Sequence, residues 1–215
     1  MTGSSGLILF IISFYATINF YRLFAVSRRI FHFCIASASV FIAIIAISDY
    51  LVHFFPVLNA DLIYDWSLVF AVSLGLSAAA ALIRDFKPEL TQFPKQLTFL
   101  PLVLIVFYPL IIDTTIIKMW VITLYQLSTI IIGLLIYSYK TSVDSTFGYM
   151  LVGIIFFLIT FILYRLPGYL FSLPEYGWML LTASGILIIT VGYNQVVFLE
   201  KHKYSVDSNG NIWFK

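Results

Sequence analysis

Asp49 and His53 are the residues of this chain best placed for acid–base chemistry. They fall one helical turn apart in Ala46-Ile47-Ser48-Asp49-Tyr50-Leu51-Val52-His53, so a helix presents both on one face. The segment closes a long apolar run, where a carboxylate costs about 3 kcal/mol on insertion scales unless it faces protein, water or a cation. Arg165, in the sixth apolar run, is the best-placed cation, because Lys118 opens the fifth run and is expected nearer water. A pair of Asp49 and Arg165, flanked by Tyr50, Tyr164 and His53, would neutralise both charges and tie two helices together. Asp65 falls at the same depth in the third run. The layer reads either as a structural clamp or as a ligand pocket open to the outer side. Within it His53 is the side chain that titrates near neutrality, which suits a pH-responsive group or a general base.

A second polar set lies deeper: Asn19, Gln126, Ser128, Asn194 and Gln195. Asn19 and Asn194 have similar depth, so a hydrogen bond between their helices is expected, worth about 0.6 to 2 kcal/mol. Joined to the outer layer, the same groups would form a transport path. No spanning chain of carboxylates is visible, which argues against a proton pump. His32, at the inner start of the second run, and His202, in the tail, are too far from His53 for a shared metal or haem site. Cys34 has no Cys or His neighbours and reads as a small packing residue. No catalytic residue, metal or cofactor is assigned.

The elements that must position these groups follow from composition. Of 215 residues, 61% are hydrophobic and 10% charged, and the mean hydropathy is +1.01, too apolar for a water-soluble domain. A net charge of +2, without a basic patch, excludes a nucleic-acid partner. Seven apolar runs approach the ~20 residues that span a bilayer: 7–24, 31–54, 62–82, 97–112, 116–137, 147–168 and 176–199. The expectation is an all-α polytopic membrane protein, a seven-helix bundle over 1–199 with a short tail over 200–215. The fourth run contains Pro101 and Pro109 and follows Pro94, so it is expected as a kinked span. Met1 to Gly6 lacks the basic start and cleavage site of a secretory signal, so the first run is expected to remain.

Lysine and arginine set the orientation. With the N-terminus outside and the C-terminus cytoplasmic, ten basic residues lie inside and only Lys118 and Arg165 outside. Trp66, Trp120 and Trp178 then each begin an inward-running helix at the outer interface, as an aromatic belt requires. Small residues in Ala36-Ser37-Ala38-Ser39 and Ser77-Ala78-Ala79-Ala80-Ala81 predict close packing of the second and third helices. Ala183-Ser184-Gly185 and Gly192 predict one buried face on the seventh. The tail carries Asn209-Gly210 between short apolar stretches, a hairpin signal.

Helix order, Ser48-Asp49 at a helix end and Gly192-Tyr193-Asn194-Gln195 in the last helix resemble the small bacterial lysoplasmalogenase-type membrane proteins. That resemblance implies a hydrolase with a second acidic group in the penultimate helix and a histidine in the helix that follows Ser48-Asp49. Here those places read Ile159-Thr160-Phe161-Ile162 and Ala78 to Ala81, and one helix fewer is present, so the activity is not carried over. The seven-helix, N-outside plan also resembles the sensory input domains of bacterial membrane kinases, in architecture alone. Helix seven has no lysine for a retinal Schiff base.

The functional expectation is a receptor-like or accessory subunit, a sensor of the cell (inner) membrane, holding a small ligand, lipid or partner protein at the outer polar layer. No output domain follows the last run, so a partner would carry any signal. The alternatives are a membrane-embedded enzyme acting on a lipid or amphiphile through Asp49 and His53, and a small-solute transporter.

Overall fold

A computed structural model of the chain describes residues 2–52, 60–87, 89, 92–111, 115–165, 177–203, 205–206 and 212–213, and side chains within 4–52, 62–110, 116–164 and 177–198. Seven α-helices form it: α1 (Thr2–Ser27), α2 (Ile30–Val52), α3 (Ala60–Phe86), α4 (Val103–Ile111), α5 (Thr115–Val143), α6 (Gly148–Arg165) and α7 (Gly177–Lys203). All except α4 are long and apolar enough to cross a membrane, which marks a multi-pass membrane protein. A two-residue antiparallel ladder, β1 (Ser205–Val206) with β2 (Ile212–Trp213), follows α7. The turn at Asn209-Gly210 lies outside the described residues.

The fourth apolar run is built differently from the continuous kinked helix its composition suggests. A 3-10 helix, Lys95–Leu102, leads into α4 and contains Pro101, while Pro109 lies inside α4. Each proline removes a backbone donor and crowds the preceding turn, so the regular α-helical ladder is confined to a short stretch.

Neighbour relations close a ring in which α1, α2, α3, α5, α6, α7 and again α1 pack in succession, with the 3-10 segment and α4 laid against α3. Helices α3 and α5 run parallel at a near-constant sequence offset. Asp65 meets Lys118 at one end, Gly75 faces Thr129 midway, and the Phe86 and Tyr139 rings are 5.3 Å apart at the other end. Helices α1 and α7 are also parallel, since Ser5 reaches Met179 and Asn19 reaches Asn194. Helices α6 and α7 are antiparallel and very close. A Cβ on Gly153 would stand 3.0 Å from the Gly185 carbonyl oxygen, and one on Gly192 would stand 2.6 Å from Tyr149 Cβ. Glycine is what permits that approach.

The core is made where the small-residue faces meet. Ala36, Ala46, Ala78 and Ala81 pack with Leu9, Phe20, Met150 and Ile186, and the rings of Phe41 and Phe70 stack at 4.6 Å across α2 and α3. On α7, Met179, Ala183, Ile186, Thr190 and Val196 form the buried stripe. Only Arg28 and Arg29 separate α1 from α2, and Arg28 takes a left-handed conformation with φ 54°. That tight turn brings the end of α1 over the start of α2.

Candidate functional site

The outer polar layer is divided between different partners. Asp49 is half-buried near the end of α2 and faces α1: a Cβ on Gly6 would lie 3.6 Å from its Oδ2. Tyr164, also half-buried, packs its hydroxyl against Gly177 at the start of α7. His53 and the Arg165 side chain, the other expected members, lie outside the described residues. Asp65 forms an ion pair with Lys118. Lys118 was expected nearer water, yet its side chain is only 19% exposed, and Asp65's is 25% exposed. Beneath the pair the Tyr108 ring centre is 5.9 Å from the Lys118 ammonium, and Trp66 meets Tyr108 edge-on at 5.1 Å. This group pins α3, α4 and α5 together.

At the opposite end of the ring the structure assembles a polar network that includes the expected asparagine pair. Asn19 Nδ2 donates to Asn194 Oδ1 at 2.9 Å, linking α1 to α7. Gln126 is half-buried on α5, and Gln195 is exposed beside Tyr15 and Phe198. Next to the asparagine pair lies His32, 2% exposed. Its Nδ1 is 2.6 Å from Ser27 Oγ, and its Nε2 is 2.6 Å from the Tyr193 hydroxyl. Phe20, Phe31 and Tyr193 surround the imidazole at ring separations of 6.4, 5.6 and 5.1 Å.

One arrangement of protons uses every hydrogen in this chain. Ser27 donates to the Leu23 carbonyl at 2.8 Å, His32 Nδ1–H donates to Ser27, and Tyr193 donates to Nε2. The imidazole then stays neutral with both nitrogens satisfied, which removes the cost of burying it. In that arrangement Nδ1 has no lone pair toward Ser27, so the pair is a joint between helices and not a base beside a nucleophile.

Beyond Tyr193 the same end opens into a cavity of about 120 Å³ between α2, α3, α5 and α7. It is lined by Phe31, Leu82, Tyr137 and Tyr193 together with the charged Arg29, Asp85 and Lys140. Lys140 holds its ammonium 4.9 Å from the Phe147 ring centre and 5.9 Å from that of Tyr137, so cation–π attraction draws it over the cavity wall. Among the described residues no group of three or more His, Cys, Asp or Glu could hold a metal ion.

His32, Tyr193, Tyr137 and Lys140 are what sequence reasoning missed. A signal was present: a two-residue turn after Ser27 places His32 opposite Phe20, and Phe20 follows the asparagine that pairs with α7.

No protein-family model, curated protein or solved structure matches this chain.

Proposed function

We propose that the protein is a receptor-like or accessory subunit of the cell (inner) membrane that holds a small ligand or lipid headgroup in the vestibule at its basic end. The observation that carries this is the cavity itself, where four helices and the α1–α2 turn place two cations and a carboxylate beside aromatic side chains. The layer around Asp49 is a weaker choice, since Asp65 there is already paired with Lys118. A hydrolase reading through Asp49 and His53 gains nothing, because His53 lies outside the described residues.

Seven crossings with the N-terminus outside and the C-terminus cytoplasmic complete the proposal. The parallel course of α3 and α5 supports it, because the connecting stretch must return through the whole depth of the ring. At about 2.0 Å per 3-10 residue and about 1.5 Å per α residue, Lys95–Leu102 and Val103–Ile111 together reach about 30 Å, the thickness of a hydrocarbon core. The excess of basic residues at the vestibule end favours placing that end in the cytoplasm.

The test is a thermal-unfolding screen of lipids and amphiphiles on the purified protein, repeated on Lys140→Gln. A chemical class that stabilises the parent and not the variant supports the vestibule. Equal stabilisation of both, or none of either, contradicts it.

A transporter is the second reading, favoured by the pairing of helices. The relations of α1, α2 and α3 recur in α5, α6 and α7, and the α3–α5 contact recurs as α7–α1. Such a parallel repeat about an axis along the membrane normal is one of the plans that transporters use. It requires water to reach Gln126, so a cysteine introduced there and never labelled by a soluble maleimide would exclude it.

A further inference from the structure

We infer that the vestibule takes a zwitterionic phosphate–ammonium headgroup, with the phosphate between Arg29 and Lys140 and the ammonium on Asp85. This rests on the vestibule reading above and names its ligand.

Size is the first argument. A volume of about 120 Å³ is room for about four water molecules, well below the ~300 Å³ at which sites begin to enclose whole drug-sized ligands. It suits a headgroup whose hydrocarbon stays outside. Position agrees with size, because the charged members all stand at helix ends. Arg29 is in the α1–α2 turn, Asp85 is the next-to-last residue of α3, and Lys140 is in the last turn of α5. Those ends mark the level where a bilayer's headgroups lie.

Charge is the second argument. Arg29 supplies a planar fork suited to phosphate oxygens and Lys140 a compact ammonium, and the N-terminus of α2 at Ile30 adds its partial positive charge beside them. Asp85 lines the same cavity, and neither it nor Arg29 makes an ion pair among the described residues. A ligand with only negative charge would be attracted by two of these groups and repelled by the third. One carrying both a phosphate and a primary ammonium offers an opposite charge to each of the three. A trimethylated ammonium has no N–H to donate to Asp85, so phosphoethanolamine chemistry is favoured over phosphocholine.

Native mass spectrometry of the delipidated full-length protein in detergent tests this, with phosphatidylethanolamine, phosphatidylglycerol and phosphatidylcholine of identical acyl chains. The expected result is one preferentially bound phosphatidylethanolamine. Arg29→Gln and Lys140→Gln should each weaken it about tenfold or more, as loss of a charged hydrogen bond does. Asp85→Asn should abolish the preference for the ethanolamine lipid while phosphate binding persists, a change of selectivity that misfolding does not produce. Free phosphoethanolamine, with inorganic phosphate as control, separates the two sources of this chemistry. Displacement of the lipid at comparable concentration assigns a soluble ligand, and failure to displace it assigns the lipid. Preferred phosphatidylglycerol that still depends on Arg29 would overturn the zwitterion and leave the vestibule standing. Equal uptake of all three lipids, unchanged in Arg29→Gln and Lys140→Gln, would overturn both.

Discussion

The two ends of the ring solve the same problem, polar groups beside hydrocarbon, by opposite means. At the Trp66 end an ion pair, Asp65 with Lys118, is closed over by Tyr108 and serves to fasten α3, α4 and α5. At the Arg29 end a neutral chain joins Ser27 and Tyr193 through the buried His32, while charged groups line a cavity beside it. Charges that neutralise each other leave nothing for a ligand. Charges gathered around an open cavity do, which is why the second end is the better place to look for function.

Four experiments break or sharpen this contrast, and each is read from the thermal or denaturant unfolding of purified protein. His32→Ala should have the largest effect, a loss of about 3 kcal/mol, because it opens a cavity among Phe20, Phe31 and Tyr193 and strips two partners at once. A loss under about 1 kcal/mol would show that the imidazole is not the joint between α1, α2 and α7. Lys118→Ala should cost about 2 kcal/mol by leaving the part-buried Asp65 carboxylate unpaired, and Asp65→Asn added to it should recover part of that loss. If the double variant is no better than the single one, the pair does not act as a unit. Tyr193→Phe should cost about 1 kcal/mol, for one hydrogen bond with the ring packing retained. The smallest effect is expected for Asn19 and Asn194: a double-alanine cycle should give a coupling of about 0.6 kcal/mol, as membrane hydrogen bonds do. A coupling of zero would make that contact incidental.

The difference between the ends also explains what could be read in the chain. Long runs such as Ile30–Val52 and Leu62–Phe86 announce themselves, because apolar length is the requirement a bilayer imposes. Asn19 and Asn194 are joined where depth along two such runs puts them side by side. Depth alone does not say which helices are neighbours, so it could not name the partner of Asp65. Asp65 and Lys118 meet because α3 and α5 are adjacent and parallel, a relation set by the return stretch between them. Proline chemistry there was visible, but not that the first half would wind as a 3-10 helix from Lys95 to Leu102. His32 was hidden for a third reason: a histidine beside two arginines at a helix start looks solvated, and only the tight turn at Arg28 folds it inward.

The most direct test of a vestibule at the basic end is its access. Val197 lines the cavity, so Val197→Cys in a Cys34→Ala background, reconstituted in lipid nanodiscs, can be reacted with a water-soluble maleimide. The expected result is labelling that slows at least severalfold when the nanodisc lipid is changed from phosphatidylcholine to phosphatidylethanolamine. Labelling at one rate in both lipids, or none in either, would contradict a ligand site there.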